Sequence, residues 1–446
     1  MKQQSVYLRI IRLGLPILIG QLGMIIVGFA DTKMVGLYST ESLASASFVN
    51  NLFNVCIFAC IGFTYGLTPL VGALFSRGES KSIGELVRNA LLLNILFALA
   101  VCAIMGVVYA NVHRMGQPED LLPLIRPYFL IYLVGLLPVA IFNVFAQWAY
   151  AINRTKMPMW IILGANLLNI LGNWLLIYGK WGFPEMGLMG AGISTLVARI
   201  VCMVAIMGVY FFSRDYKEYR DGFTQGHISR GYISQLNRTS WPVSLQMTFE
   251  SGSFSAAAIM AGWIDAISLA AFQITVILGT LGFCVYYSMA AAVSVLVSNA
   301  AGMNDCREMR HTAFAGYRIL LTLATISCAI FLLFGPSVLR QFTHDPAVLA
   351  VGLTLIVPLM IYQFGDATQI SFANALRGTA QVMPMVWIAF VSYVIIGLPA
   401  TYLLAFPCGL GIYGIVLSFS VSLFIAAGLF VVFFLRATRC HGNPNS

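Results

Sequence analysis

The chain alternates long apolar stretches with short polar connections. A helix needs roughly 20 apolar residues to cross about 30 Å of hydrocarbon, and about twelve stretches reach that length. The runs are continuous and do not alternate strictly between apolar and polar positions, which favours helices over a transmembrane barrel. The predicted spans are 13–37, 48–75, 88–112, 125–151, 158–178, 187–212, 240–263, 269–300, 313–335, 348–375, 384–406 and 410–436. The pattern therefore predicts an all-α polytopic membrane protein.

The composition supports a lipid environment for these helices. Of 446 residues, 59% are hydrophobic and only 9% are charged, whereas a soluble domain carries about 25% charged residues. No connection is long enough to hold a nucleotide-binding domain, which excludes an ATP-driven pump made of this chain alone. The sequence also lacks the HExxH, P-loop lysine and GxSxG motifs of common enzymes. We therefore expect a secondary transporter and not an enzyme.

Basic residues cluster in alternate connections between the predicted spans. Arg77 and Lys81 follow the second span, Arg154 and Lys156 follow the fourth, and five arginines and lysines lie within 213–239. Cytoplasmic connections carry such an excess of positive charge. The net charge of +9 is thus explained by topology and does not indicate nucleic-acid binding. We expect a multi-pass protein of a bacterial-type cytoplasmic (inner) membrane, with both termini in the cytoplasm.

The two halves of the chain resemble each other at a constant offset of 226 residues. Pro16 aligns with Pro242, and Gly36 aligns with Gly262. Chance similarity between apolar helices explains matched leucines but poorly explains matched prolines and glycines. Because six helices is an even number, both halves would have the same orientation in the membrane, as in parallel-repeat transporters.

This repeat predicts the domain organisation. We expect an N-terminal six-helix lobe at 1–212, a cytoplasmic inter-lobe loop at 213–239 and a C-terminal six-helix lobe at 240–446.

Three acidic residues fall deep within predicted spans: Asp31, Glu250 and Asp366. Ionisable groups in a bilayer are costly and usually functional. Burial disfavours the charged form of a carboxyl group, so such a group can take up a proton, or Na⁺ when other oxygen ligands are near. The alternative is a purely structural acid that is satisfied by a hydroxyl, an amide or a nearby base such as Arg199.

Polar side chains accompany the acids at helical spacing. Tyr362, Asp366 and Gln369 share one face of the tenth span, with Gln363 beside them, and Asn166, Asn169 and Asn173 form a stripe on the fifth span. Asn143 and Gln147 lie in the fourth span. A polar face inside a membrane helix either lines a cavity or makes hydrogen bonds between helices, and the pattern leaves both readings open for the asparagines.

Several segments resemble the multidrug and toxic compound extrusion (MATE) family, and its NorM-like branch in particular. The opening segment LPILIGQLGMIIVGFADTKMVG has Pro16, Gln21, Asp31 and Gly36 in place. Further similar segments are NRTKMPMW, NLLNILGNWLLIYGKWGFPEMGLMGAGIST and YQFGDATQISFANALRGT. The resemblance implies two six-helix lobes in a V-shaped arrangement around a central cavity.

The resemblance also implies site residues. Glu250, Asp366 and Tyr362 match a C-lobe cation site, with Na⁺ as a candidate ligand of the two acids, and Asp31 matches an N-lobe acid that contributes to coupling. Where some members have a second aspartate, this chain has Asn173. Gln21, Asn143, Asn169, Asn173, Gln363 and Gln369 are candidates for a substrate cavity.

The sequence therefore predicts an antiporter that exports organic cations and amphipathic compounds by alternating access, coupled to entry of Na⁺ or H⁺. A flippase or an exporter of lipid-linked sugars of the same superfamily is the alternative. We expect drugs as substrates, lipids as surroundings, no resident cofactor, no nucleic acid and no obligatory protein partner, so that the chain functions as a monomer.

Overall fold

The computed structural model describes residues 5–115, 118–343 and 345–439. These residues contain helices and connections and no β-strand. The α-helices are α1 Val6–Tyr38, α2 Thr40–Tyr65, α3 Leu67–Ser76, α4 Ser80–Ala110, α5 Leu122–Val134, α6 Leu136–Ala151, α7 Lys156–Tyr178, α8 Leu188–Phe212, α9 Lys217–Gln225, α10 Arg230–Ile264, α11 Ala266–Gly302, α12 Cys306–Arg340, α13 Pro346–Thr354, α14 Ile356–Gly378, α15 Met383–Ala389, α16 Leu398–Ala405 and α17 Gly411–Ala437. The predicted all-α class is confirmed.

The predicted membrane spans correspond to single or broken helices of this set. Ten helical spans in the described residues are long and apolar enough to cross a membrane, and α13 with α14 makes an eleventh that bends by 47°. The remaining long helix, α10, has 35 residues but is less apolar than these spans. It carries Glu250 among many serines, threonines and glutamines. A helix that exposes so much polarity in a bilayer must turn it toward protein or a hydrated cavity.

Two predicted spans are interrupted by glycine. Gly66 separates α2 from α3, and Gly135 separates α5 from α6. The eleventh span contains a π-helical stretch, Phe390–Gly397, between α15 and α16. Such stretches are rare and occur frequently at functional sites.

The described residues form two compact units. The N unit is Ile19–Ser240, and the C unit is Trp241–Ser446 together with Met1–Leu18. Both boundaries fall inside long helices, α1 and α10, within three residues of Pro16 and Pro242. Proline removes a hydrogen bond inside a helix and favours a kink there.

Each unit contains a close helix crossing next to its boundary. In the C unit, a Cβ at Gly14 would lie 2.7 Å from Met289 Sδ and 3.2 Å from the Met289 backbone; in the N unit, a Cβ at Gly66 would lie 2.6 Å from the Ser240 backbone. Gly14 and Ser240 are 226 residues apart (240 − 14), the offset of the internal repeat. Equivalent positions of the two halves are therefore used for close packing.

The expected inter-lobe loop at 213–239 contains α9 and the first turns of α10. Helix α9 packs on α4 so closely that a Cβ at Gly84 would lie 2.0 Å from the Tyr219 carbonyl oxygen. Arg88 of α4 donates to the Gly226 carbonyl at 2.6 Å and to the Phe223 carbonyl at 3.3 Å, which satisfies the free carbonyls at the end of α9. This segment is thus a folded part of the N unit.

Candidate functional site

Asp366 lies at the centre of a polar region in the C unit. Its side chain is 1% exposed, and the neighbouring Gln363 and Gln369 on α14 are equally inaccessible. Asp366 Oδ2, Gln363 Nε2 and Gln369 Oε1 have no hydrogen-bond partner among the described residues. Buried polar atoms without partners are costly, and they indicate a position for water or an ion.

Glu250 of α10 is the second acid of this region. Its Oε2 accepts a hydrogen bond of 2.8 Å from Gln246 Nε2, one turn earlier on the same helix. The Glu250 carboxylate is close enough to Asp366 for their negative charges to interact unfavourably, and the buried Tyr393 of the π-helical stretch lies beside it. Two carboxylates this close are most stable when a positive charge lies between them or when one of them is protonated.

Tyr362 lies one turn before Asp366 on α14, on the same helix face. Its ring is buried between aromatic neighbours, with centroid distances of 6.4 Å to Phe254 and 6.5 Å to Phe419. The structure therefore brings together Tyr362, Glu250 and Asp366, the three residues predicted for the C-lobe site.

Gln363 is held in this region by a neighbouring tyrosine. Tyr286 of α11 donates a hydrogen bond of 2.7 Å to Gln363 Oε1. A Cβ at Gly282 would lie 2.7 Å from that oxygen, so the glycine allows α11 to approach α14. Because this bond uses the Oε1 acceptor, the Nε2 donor remains available to a ligand.

Arg377 lies just beyond the predicted tenth span, 348–375, and is not among the site residues that the sequence predicts. The structure places it in the last turn of α14, 5% exposed, where Nη1 donates to Asn374 Oδ1 at 3.1 Å and to the Tyr287 hydroxyl at 3.3 Å. Its positive charge acts on Glu250. The spacing of Asn374 and Arg377, one turn apart and following Gln369 and Asp366, was the available signal.

Asp31 lies in the N unit, where it is bound by amides. Asn173 Nδ2 donates to Asp31 Oδ1. When the Asn169 amide is oriented so that both of its ends are satisfied, its nitrogen donates to the same oxygen at 2.9 Å and its oxygen accepts from Thr195 Oγ1 at 3.2 Å. The asparagine stripe on α7 thus makes interhelical hydrogen bonds, and its partner is the intramembrane acid.

Within the described residues, neither Asp31 nor Asp366 makes a direct ion pair with lysine or arginine. Ion pairs in the described residues include Arg9–Glu308 and His311–Glu308, both at 3.5 Å. Arg318, a base within the predicted ninth span, donates to the Tyr7 hydroxyl at 3.0 Å. A purely structural role in which Asp31 or Asp366 is locked against a base is therefore not supported.

Two residues predicted to line a substrate cavity, Gln21 and Asn143, are not part of the clusters around Asp31 and Asp366. Gln21 precedes Asp31 by ten residues on α1, which is roughly 15 Å along a helix. Asn143 Nδ2 donates to the Val139 carbonyl of its own helix at 2.8 Å. Among the described residues there is also no group of three or more histidines, cysteines or acids suited to a metal ion.

The sequence model of the family MatE matches residues 16–175 and 242–403, which together cover more than half of the chain. A second model, described as lipid II flippase MurJ, matches residues 117–255. The two segments of the MatE match begin 226 residues apart, at the offset of the internal repeat.

Named relatives match nearly the whole chain. A probable multidrug resistance protein NorM of Geobacillus kaustophilus is 29% identical over 96% of this chain and 94% of its own length. The multidrug resistance protein PmpM of Pseudomonas aeruginosa is 30% identical over 88% of this chain and 83% of its own length. A crystal structure of MATE in complex with MaL6 has a TM-score of 0.88 at 18% identity, covering 98% of this chain and 96% of that one, which shows that the fold is shared.

Proposed function

Because the chain belongs to the MatE family, as its motifs predicted, we propose that it is a cation-coupled multidrug exporter that works by alternating access. The resistance proteins NorM and PmpM among its relatives support export of several unrelated compounds. The substrates proposed are organic cations and amphipathic molecules, for which acidic intramembrane side chains provide charge complementarity. The protein acts in the cytoplasmic membrane as a monomer, with both termini in the cytoplasm.

Glu250 and Asp366 form the coupling site, with Tyr362 beside them. The observation that carries this assignment is the buried Asp366 Oδ2, which has no donor among the described residues. A desolvated carboxylate without a donor gains most from a bound proton or from Na⁺. Gln369 Oε1 and the Tyr362 hydroxyl provide the neutral oxygen ligands that a hard cation such as Na⁺ requires.

Coupling follows from a difference in cation affinity between two conformations. A ligand shifts a conformational equilibrium only by its differential affinity for the two states. Cation binding at Glu250 and Asp366 stabilises the outward-open state, in which the drug leaves. Release of the cation to the cytoplasm restores the inward-open state, which takes up the next drug molecule.

Reconstitution into liposomes tests this function. Purified protein is followed with a fluorescent organic cation such as ethidium while a Na⁺ gradient and a pH gradient are imposed separately. We expect dye movement against its own gradient with one of the two, and none in liposomes without protein. Dye movement that is indifferent to both gradients contradicts coupled transport.

The second candidate function is a flippase for lipid-linked sugars, favoured by the MurJ match over residues 117–255. Against it, the polar regions of both units contain carboxylates, which repel the pyrophosphate of such a lipid. Translocation of a fluorescent lipid-linked sugar by the same proteoliposomes, without any dye export, would decide for the flippase.

A further inference from the structure

A group of aromatic side chains with one acid lies at one end of the N unit and is not used by the proposed coupling site. Its members are Tyr38, Trp174, Tyr178, Trp181 and Glu185. Tyr38 ends α1, and Trp181 and Glu185 lie in the connection from α7 to α8. This end of the unit faces the outside when both termini lie in the cytoplasm, so we call the group the outer aromatic cluster.

The aromatic rings of this cluster follow one another closely. Trp174 and Trp181 are perpendicular, with 5.6 Å between their ring centroids and 89° between their planes. Trp174 and Tyr178 are one turn apart on α7, and the Tyr178 ring lies 6.4 Å from the ring of Tyr38. Trp174 is 37% exposed and Trp181 is 78% exposed. The rings therefore form an aromatic surface that a ligand can reach.

The backbone of the connection holds Trp181 in an unusual conformation. Its φ of 56° and ψ of 30° are left-handed, which a bulky residue rarely adopts. Because the indole ring is largely exposed, burial in a core does not explain why this conformation is kept. Residues with such strained backbone cluster at active sites and ligand-binding sites.

Glu185 places a negative charge beside the rings. A Cβ at Gly179, the residue that follows α7, would lie 3.0 Å from Glu185 Cβ. The Tyr38 hydroxyl is close enough to the Glu185 carboxylate for the two groups to interact. Within the described residues, Glu185 makes no ion pair with Lys180 or with another base. Since its side chain is also exposed, the carboxylate is available to an external positive charge.

The cluster lies outward of Asp31 on the same two helices. Tyr38 follows Asp31 by seven residues on α1, which is roughly 10 Å along a helix. Trp174 directly follows Asn173, whose side chain donates to Asp31. This position between the intramembrane acid and the outer end of the unit suits a compound that is leaving the protein.

We propose that the outer aromatic cluster binds organic cations on their way out of the protein. The class of ligand is a quaternary ammonium, a phosphonium or a planar aromatic cation, because such ions are attracted to the faces of aromatic rings. The Glu185 carboxylate adds charge complementarity. This inference rests on the proposed function and adds to it a binding step that is separate from the coupling acids.

The C unit contains a comparable aromatic group without a free acid. Trp263, Tyr402 and Phe406 lie near the corresponding positions of the repeat, with ring centroids 6.3 Å apart for Trp263 and Phe406 and 5.2 Å apart for Tyr402 and Phe406. The connection at 406–410 contains no acid, and Asp265 uses both carboxylate oxygens to cap α11. Aromatic residues that only anchor a protein at the lipid–water interface should behave alike in both units, whereas recognition of a cation should distinguish them.

Photolabelling of the purified protein in detergent tests the inference without requiring transport. The probe is ethidium monoazide, an aromatic cation that attaches to nearby residues on illumination, and labelled peptides are identified by mass spectrometry. We expect label within 174–187 of the wild type, and protection by an excess of tetraphenylphosphonium. Label within 402–410 should be weaker.

Two variants remove the two parts of the proposed site. Trp181→Gly removes the ring and suits the left-handed backbone, and Glu185→Gln removes the charge. A cation–π contact at an exposed site corresponds to about two- to fivefold in a dissociation constant, so each variant should carry about two- to fivefold less label at 174–187 when the probe is dilute. Trp263→Ala in the C unit is the control and should leave that label unchanged.

Equal labelling of 174–187 and 402–410 in the wild type overturns the inference, because it shows attraction to the interface alone. Label at 174–187 that Glu185→Gln leaves unchanged also overturns it, and this variant serves as the independent test if Trp181→Gly does not fold. The proposed function fails separately, if the wild type exports no dye under either gradient. Glu185→Gln should still export dye in response to a gradient, since it leaves the coupling acids in place.

Discussion

Asn173 donates a side-chain hydrogen bond to Asp31 across two helices of the N unit. The acid comes from α1 and the amide from α7, 142 residues later in the chain. An amide is a neutral donor, so it orients the carboxylate without changing the total charge of the cluster. A second acid at this position would instead have placed another negative charge beside Asp31.

Replacing Asn173 by alanine should destabilise the N unit. Hydrogen bonds to charged groups contribute about 1.5–3 kcal/mol in soluble proteins, and bonds in membranes average less. We therefore expect a loss of roughly 1–2 kcal/mol, seen as a lower unfolding midpoint in detergent. Asn166→Ala is the matched control on the same helix, because Asn166 Nδ2 has no partner among the described residues. Equal effects of both changes would show that the bond to Asp31 contributes little.

Replacing Asp366 by asparagine should abolish ion-driven dye export while the protein still folds and inserts. The change keeps the size of the side chain but removes the charge that attracts the coupling cation. Export is measured in proteoliposomes, and folding by gel filtration. Asp265→Asn is the control, since Asp265 caps α11 through a bond to the Ser268 amide and asparagine caps a helix about as well. Full export by Asp366→Asn would refute the role of this acid.

Replacing Gly66 by alanine should disturb the crossing with α10. The new methyl group would lie 2.6 Å from the Ser240 backbone, and backbone cannot move aside as a flexible side chain can. Overpacking typically costs about 1–3 kcal/mol, so we expect a clearly lower unfolding midpoint. Gly106→Ala on α4 meets nothing within 4 Å and should leave the midpoint unchanged or slightly higher. A midpoint for Gly66→Ala equal to that of the control would contradict the close approach.

Replacing Arg88 by alanine should loosen α9 from α4. The guanidinium satisfies carbonyl oxygens at the end of α9, and without it these groups must find water. Hydrogen–deuterium exchange of 217–225 should become faster, while exchange in α7 and α8 stays the same. Arg230→Ala, at the start of α10, is the control. Unchanged exchange in both variants would mean that the glycine contacts alone hold α9.

The sequence by itself determined the class of the protein and singled out three acids within the predicted spans. The continuous apolar runs require helices in lipid, because unpaired backbone groups are too costly there. Ionisable side chains are also costly in lipid, and Asp31, Glu250 and Asp366 are the three acids within the predicted spans. The repeat at an offset of 226 marked Pro16 and Pro242, and both lie next to the boundaries of the two compact units.

Only the tertiary structure decided which groups surround each acid. Hydropathy tells how deep a residue lies in the membrane but not which helix its side chain faces, because apolar helices are hydrophobic all round. The sequence therefore could not tell that Asn173 and Asn169 bind Asp31, or that Arg377 is buried within reach of Glu250. These neighbours come from helices far apart in the chain, so only the folded arrangement of the helices brings them beside the acids.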